Sequence, residues 1–332
     1  MSSIVSAARA VTEARLAPMA DEVDASGSIP SSHLAALASS GLFGAALGDE
    51  WWHLAEVAET IISGCLATGF VWAQHHGVAV AVRRAGRDDL ASALASGEVI
   101  AGVSYAGLGS HGATLAARRS EAGWVLSGSS AFVTGWTIMG LIGVWAHDEQ
   151  ADEARMFLIE RPDEVDGIVA TDLDLVAAQA SNTVTLAWDD VHVDDAAEVT
   201  SVPAGERPRS ANLRIRMNAS LALGICASAL REFDALAATN PEFAERATAG
   251  HRALIGVRDR LDTSLNDAEA LYRHRAEANE LAMRLATAVA AATGSRSALA
   301  RSTASRLVRE ALFCAVCAGR PAIRDAMLTR LL

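Results

Sequence analysis

Two adjacent histidines, His75 and His76, are well suited to move a proton near neutral pH. A neutral imidazole can accept a proton, so either ring is a candidate general base. Both lie in the stretch FVWAQHHG at residues 70–77, within a helical pattern. Adjacent residues on a helix point about 100° apart, so at most one ring can face a cavity. The alternative is a partly buried histidine whose ring is satisfied by backbone carbonyls.

A second chemically capable pair, Cys314 and Cys317, has the spacing C-x-x-C. This spacing begins redox sites and forms half of many zinc sites. No second cysteine pair and no His-x-x-x-His follows it in the sequence, and the surrounding stretch is strongly helical. We therefore favour two small buried thiols one helical turn apart, and we expect no metal site. Including Cys65 and Cys226, the four cysteines are too few for a disulfide framework in a chain of this length.

The composition limits the kinds of partner that the chain can have. Its 332 residues are 51% hydrophobic, which is enough for a large core and too long for the usual single domain. The net charge of −12 comes from 40 acidic and 28 basic residues, and every basic residue is arginine. An acidic chain without a basic stripe argues against a nucleic-acid partner. The longest apolar runs fall short of the ~20 residues of a membrane span, and no signal-peptide pattern is seen. We expect a cytoplasmic protein.

The elements that must position these side chains change character twice along the sequence. Residues 3–96 follow helical patterns, whereas β-rich runs separated by Gly, Asp and Ser occupy roughly 99–193, which predicts an antiparallel barrel or sandwich. After Pro208, long patterns of Ala, Leu and Arg predict a helical bundle. These long patterns cover residues 209–239, 241–270, 273–292 and 297–317. The prediction is an α+β fold with a helical domain (1–96), a β domain (97–202) and a helical bundle (203–332).

Four short segments stand in one order along the chain. They are YAGLGSH at 105–111, GSSAFVT at 128–134, a stretch from SNT to DDVHV at 181–193, and SRLVREALFCAVCAGR at 305–320. In this order they resemble motifs of the acyl-CoA dehydrogenase family, and together they are moderately specific. The family has an N-terminal α-helical domain, a central antiparallel β-barrel and a C-terminal four-helix bundle. The resemblance therefore implies the same order of elements as the patterns above.

The resemblance also implies that FAD binds against the β domain. The family's first loop lies along the flavin, which here corresponds to Ser104, Gly109 and Ser110, and the second motif flanks the ring with Phe132 and Thr134. A flavin ring needs an aromatic cover on one face and hydrogen-bond donors near its polar edge. Without the family, the same residues also suit a β-bulge turn in which the hydroxyls cap strand ends and the phenylalanine is core.

Parts of the family pattern that reach a neighbouring subunit are reduced. Where the family usually shows Gln-x-x-Gly-Gly, only Gly294 is retained, and Arg-x-x-Phe-Gly is not recognisable at residues 241–246. In the family these segments approach the cofactor of the partner subunit. The resemblance thus implies an oligomer, either of this chain alone or with a paralogous subunit.

The family's catalytic base is missing from the final segment. Counting without gaps from Arg309, Ala318 takes the place of the glutamate that removes the substrate α-proton. A related branch keeps its base near the start of the first bundle helix, where the nearest equivalents here are Arg214 and Arg216. The catalytic residues are therefore unknown from the sequence. His75 and His76 are the candidates, because their helix flanks the substrate cavity in this fold, while His111 replaces an aspartate of the flavin loop.

Three functions remain open from the sequence. The first is FAD-dependent CH–CH oxidation of an acyl-CoA or acyl-carrier thioester, with the base or half of the FAD site supplied by another chain. The second is a flavin-dependent monooxygenase, in which the absence of the glutamate is expected. The third is a non-catalytic subunit of a heteromeric acyl-CoA dehydrogenase.

Overall fold

The computed structural model describes residues 2–48, 51–108, 114–203 and 211–332. Helices make up its N-terminal part, where a π-helical segment (Thr12–Leu16) joins the first two and a 3-10 segment (Leu42–Leu47) follows the third. The α-helices are α1 (Ser3–Val11), α2 (Ala17–Ser26), α3 (Ser31–Ser39), α4 (Trp51–Gly64), α5 (Leu66–Arg84) and α6 (Asp88–Ser96). Gly27 ends α2 in the left-handed conformation, with φ of 66°, which suits glycine.

Eight strands form one sheet in the middle of the chain. They are β1 (Ala101–Ser104), β2 (Leu115–Ser120), β3 (Gly123–Val133), β4 (Leu141–Asp148), β5 (Glu153–Glu160), β6 (Ile168–Asp172), β7 (Val184–Val193) and β8 (Glu198–Pro203). The strand order is β6-β7-β3-β2-β4-β5-β8, and β1 pairs with β4 beside this path.

The sheet differs from the expected antiparallel barrel in two respects. Among the described residues, β6 and β8 lie at opposite edges and do not pair, so the barrel is not closed. In addition, β1 and β2 each run parallel to β4, whereas the other neighbours are antiparallel. All four residues of β1 are buried, and burial on both faces is typical of parallel pairing.

Every regular element of residues 211–332 is helical. The helices are α7 (Ala211–Thr239), α8 (Ala244–Thr263), α9 (Ala268–Thr293), α10 (Thr303–Val316) and α11 (Pro321–Leu331). The predicted order of helices, strands and helices is therefore confirmed, with one helix more than the four expected. Two predicted boundaries were displaced because side-chain caps define them: Asp267 accepts a hydrogen bond from the Ala270 N–H at 2.9 Å, and Ser302 accepts one from the Ser305 N–H at 3.1 Å.

The two helical parts bury a common hydrophobic core. Helix α4 crosses α7 so closely that a Cβ added to Gly224 would lie 2.6 Å from Ile62 Cγ2. Separate clusters fill one side of the sheet, around Phe157 and Leu186, and the space between the sheet and α5–α6, around Val78 and Leu94. Because the helical parts share one core, the division of the chain near residues 97 and 203 remains a proposal.

None of the helices in the described part of the chain is long and apolar enough to cross a bilayer.

Candidate functional site

Strand β1, the end of β3 and helix α5 meet at one place in the fold. The Ala101 N–H donates a hydrogen bond to His75 Nδ1 at 3.1 Å, which ties β1 to α5. A Cβ added to Gly102 would lie 3.4 Å from the Thr134 carbonyl oxygen, and one added to Gly135 would lie 3.4 Å from Val71 of α5. The structure thus places the histidine pair beside the segment that follows β3.

Phe132 is turned away from the sheet at the end of β3. The pairing of β3 with β7 shifts register between Ser130 and Val133, and Phe132 has a φ of 56°. A bulky side chain in the left-handed region is uncommon and marks a constrained position. The ring is 54% exposed, while Val133 and Thr134, which follow it, are buried. Phe132 is therefore not a core residue, and its ring can cover a flat ligand.

The Thr134 hydroxyl belongs to a chain of three hydroxyl groups. Its Oγ1 lies 3.0 Å from Thr183 Oγ1, which lies 2.9 Å from Ser181 Oγ. Each hydroxyl carries one proton. Two hydrogen bonds use two of the three protons, and the third is left over. If the chain is oriented from Ser181 toward Thr134, then Thr134 retains a proton that it can donate to a ligand.

The Ser104 hydroxyl is buried and bonds to a side chain of the sheet. Its Oγ donates to Ser130 Oγ at 2.8 Å, and Trp188 Nε1 donates to the same oxygen at 2.9 Å. Its only proton is therefore used, although the oxygen can still accept. The backbone after β1 also packs tightly, because a Cβ added to Gly107 would lie 2.5 Å from the backbone of Ala146. The other predicted contacts on this loop, Gly109, Ser110 and His111, lie outside the described residues.

His75 and His76 are both buried in α5, with exposures of 0% and 6%. Burial lowers the pKa of His75 to about 4. Burial, followed by the neighbouring His75, lowers the pKa of His76 well below its usual value. Neither nitrogen of the His76 ring has a hydrogen-bond partner among the described residues, and the ring packs edge-on against Trp72 at 4.1 Å between centroids. Both rings are neutral near pH 7, and neither is strongly basic.

Ala318 lies in the turn between α10 and α11, with a φ of 48°. Helix α10 reaches α5 through Phe313 and Phe70, whose ring centroids are 5.2 Å apart. On α9, Arg275 donates a hydrogen bond from Nη2 to the Cys317 carbonyl at 2.8 Å and so holds the start of the turn. Burial lowers the pKa of Arg275, and its Nε has no hydrogen-bond partner among the described residues.

The C-x-x-C pair lies at the end of α10, where Cys314 is buried and Cys317, the residue after the helix, is only partly buried. Burial raises the pKa of Cys314 well above its usual value and that of Cys317 to about 11. Protonated thiols are poor nucleophiles and metal ligands. Within the described residues, no group of three His, Cys, Asp or Glu side chains is arranged to hold a metal ion.

The first turns of α7 carry the two arginines that take the place of the alternative base. Arg216 is buried and ion-paired with Glu59 at 2.8 Å and with Asp262. Arg214 instead lies over the ring of Tyr105, 5.7 Å from guanidinium carbon to ring centroid. Nothing in the sequence pointed to Tyr105 as a partner of this arginine, since an aromatic residue after a strand is usually core.

Gly294 lies far along the chain from these groups, at the C-terminal end of α9. Its φ of 73° suits a glycine that ends a helix, and its N–H bonds back to the carbonyls of Ala290 and Ala291. The residue is exposed, and a Cβ added to it would contact nothing within 4 Å. A cofactor contact at Gly294 therefore stays a prediction and requires a second chain.

The N-terminal sequence matches a known family model. Residues 2–98 match the model for the acyl-CoA dehydrogenase N-terminal domain. No curated protein sequence matches the chain.

Solved structures match over the whole chain. Butyryl-CoA dehydrogenase from Megasphaera elsdenii is 17% identical with a TM-score of 0.77, covering 99% of this chain and 97% of that one. A glutaryl-CoA dehydrogenase from Mycobacterium smegmatis in complex with FADH2 is 16% identical with a TM-score of 0.81, covering 99% and 93%. KijD3 in complex with dTDP is 16% identical with a TM-score of 0.79, covering 99% and 95%. The resemblance to the acyl-CoA dehydrogenase family is confirmed, in sequence over residues 2–98 and in fold over the whole chain.

Proposed function

Since the chain has the acyl-CoA dehydrogenase fold, we propose that it is an FAD-dependent oxidoreductase acting on an acyl thioester, with a second subunit completing the site. The observation that carries the proposal is the turn at Phe132, where an exposed aromatic ring adjoins the hydroxyl chain of Thr134. These two residues fit a flavin ring, because one supplies an aromatic cover and the other a hydroxyl proton.

FAD would accept a hydride from the substrate β-carbon, and a base on the protein would remove the α-proton. In this chain the alanine at position 318 offers no lone pair, and arginine side chains, which stand at 214 and 216, have no hydrogen-bond acceptor that could take a proton. His75 and His76 are neutral, but burial weakens them as bases. Loss of a general base typically slows a reaction by ~10²–10⁴. The chain alone is therefore a slow dehydrogenase, and a paralogous subunit supplies the base.

The first test measures flavin binding. The protein is purified alone and after co-expression with a paralogue encoded beside it, with FAD added, and the visible spectrum is recorded. We expect flavin absorbance in at least one of the two preparations. The absence of flavin from both would exclude an FAD enzyme and leave the role of a non-catalytic subunit.

The second test measures reduction of the flavin. Flavin-loaded protein is mixed anaerobically with a panel of acyl-CoAs, and bleaching of the oxidised band is followed. We expect slow bleaching by the wild type and acceleration of ~10²-fold or more by Ala318→Glu. Ala322→Glu makes the same substitution at an exposed position of α11 and is the matched control. Fast bleaching by the wild type would contradict the assignment of Ala318.

An oligomer follows from the surface of α10. Val308, Leu312 and Val316 are exposed and spaced four residues apart, so they form an apolar stripe along one face. Since the family motifs that reach a partner's FAD are reduced, the proposed assembly pairs this chain with a paralogue, and a homodimer is the alternative. Light scattering that shows a stable, flavin-loaded monomer would contradict this part of the proposal.

A flavin-dependent monooxygenase is the second candidate. The observation in its favour is that neither expected base position carries a carboxylate, and the similar structure of KijD3 is a complex with dTDP. In such an enzyme reduced flavin and oxygen would do the chemistry, so no α-proton base is required. Oxygenated product formed with NADH-reduced flavin and air, without anaerobic bleaching by any acyl-CoA, would place this function first.

A further inference from the structure

Arg214 of α7 lies beside Tyr105, the residue after β1. No acidic side chain in the described part of the chain forms an ion pair with it. Arg214 is the fourth residue of α7, and its guanidinium stands over the ring of Tyr105 at 5.7 Å. The phenol oxygen rests against α5, since a Cβ added to Gly77 would lie 3.6 Å from it. Gly77 directly follows His76, so this pair lies beside the candidate site.

Arg214 differs from its neighbour Arg216 in how its charge is balanced. Arg216 is ion-paired with Glu59 and Asp262, and Glu59 also accepts from Arg258 at 2.7 Å. By contrast, no carboxylate in the described part of the chain pairs with Arg214, and its Nε is buried without a hydrogen-bond partner. A buried donor on a cation is costly when it is unpaired, so the position favours an added anion.

The hydroxyl of Tyr105 is a second hydrogen-bond donor beside Arg214. Burial raises the pKa of Tyr105, and the positive charge of Arg214 acts in the opposite direction. The phenol is therefore protonated near neutral pH. A phenol hydroxyl carries one proton, which Tyr105 can donate to a ligand beside Arg214.

We propose that Arg214 and Tyr105 form a binding site for a carboxylate group of the ligand. The Nε–H of Arg214 and the hydroxyl of Tyr105 donate to the carboxylate, and the guanidinium balances its single charge. Arginine and carboxylate match in planar geometry and form strong charge-assisted hydrogen bonds. Combined with the proposed function, on which this last step rests, the site indicates a thioester whose acyl group carries a free carboxylate.

The test uses full-length protein, flavin-loaded where it retains FAD, and free carboxylates as probes. Acetate, butyrate, succinate and adipate are titrated at constant ionic strength while the thermal unfolding midpoint is followed, with inorganic phosphate as the competing anion. We expect a saturable rise with at least one carboxylate. Arg214→Gln should weaken its apparent affinity about 10- to 100-fold, and Tyr105→Phe about tenfold or less. Arg252→Gln, which removes an exposed arginine of α8, should bind as the wild type does.

Several results would overturn the site. They are no rise with any carboxylate, an equal rise in Arg214→Gln, or an equal rise with phosphate. If Arg214→Gln does not fold, Arg214→Lys keeps the charge and loses the Nε donor, and unchanged affinity in that variant overturns the site as well.

A pair of thioesters separates this proposal from the function on which its last step rests. Adipoyl-CoA and hexanoyl-CoA differ in the terminal carboxylate, and binding is measured without turnover. Preference for adipoyl-CoA that Arg214→Gln abolishes supports both proposals. If free carboxylates bind and neither thioester does, the carboxylate site is supported and the acyl-thioester function is contradicted. Equal binding of the two thioesters removes the inferred substrate class.

Discussion

On the sheet side of the candidate site, buried hydroxyls bond to one another. Ser130 Oγ receives two hydrogen bonds, and Thr183 Oγ1 joins Thr134 to Ser181. On the helix side, both nitrogens of His76 are buried and have no partner among the described residues. Satisfied polar groups stabilise a fold, whereas unsatisfied ones cost free energy and point to a role other than stability. We infer that the buried hydroxyls make the sheet side, called the platform below, the rigid part of the site. Helix α5 is then the part adapted to a ligand.

We expect acid to lower the free energy of unfolding through the two buried histidines of α5. The folded-state pKa of His75 is about 4 and that of His76 lies well below the unfolded value of 6.5. Between these values the unfolded chain binds more protons, so the free energy of unfolding falls as pH falls. His75 alone contributes a loss of up to about 3 kcal/mol by pH 4.

Urea denaturation at pH 7.5 and pH 4.5 measures the total pH dependence of the free energy of unfolding, and a variant without His76 isolates the contribution of that residue. His76→Leu should unfold with a free energy that falls less steeply with acid than that of the wild type. The comparison between the two proteins cancels the carboxylates, which titrate in both. Parallel pH dependences would show that burial does not hold the pKa of His76 below its unfolded value.

Removing the Ser130 hydroxyl should lower the free energy of unfolding, because it lies at the centre of the platform. Ser130→Ala leaves Trp188 Nε1 and the Ser104 hydroxyl without their partner, which costs about 1–3 kcal/mol of unfolding free energy. Ser127→Ala is the matched control on the same strand, because its hydroxyl bonds Asp190 at the exposed surface. Its effect should stay within about 0.5 kcal/mol. Equal losses of unfolding free energy in Ser130→Ala and Ser127→Ala would contradict a stabilising role of the buried hydroxyls.

The adjacent histidines should respond oppositely to the same substitution. His75→Leu leaves the Ala101 N–H without its acceptor and should cost about 1–3 kcal/mol. His76→Leu removes two nitrogens without described partners and should be neutral or slightly stabilising at pH 7.5, by about 1 kcal/mol at most. Chemical denaturation of both variants measures this. A large loss in His76→Leu would indicate that the His76 ring has a hydrogen-bond partner after all.

The smallest expected effect lies at the left-handed turn of the platform. Phe132→Gly relieves a left-handed φ and should stabilise the flavin-free protein by about 1 kcal/mol or less. The same change removes the aromatic cover and should weaken FAD binding, measured by flavin fluorescence. Unchanged FAD affinity in this variant would remove Phe132 from the cofactor site, and lower stability would show that the turn is not strained.

The sequence by itself determined the order of elements and the type of most of them. Apolar periodicity is local, so the helical patterns before residue 96 and after residue 211 and the β-rich runs between them were predicted without knowledge of contacts. Boundaries set by caps, such as Asp267, and the short strands β2, β6 and β8 were not predicted, because their patterns are weak. The motifs also identified Ala318 as the position without a base.

Only the tertiary structure decided which polar groups have partners. The hydrogen bond between Ala101 and His75 joins residues 26 apart, and the ion pair between Glu59 and Arg216 joins residues 157 apart. Nothing local distinguishes Arg216, which is balanced by carboxylates, from Arg214, which lies over a tyrosine. Partners are selected when distant elements pack, and burial then determines which groups keep their ordinary pKa. For this reason the site residues could be named from the sequence, but their protonation and their free donors could not.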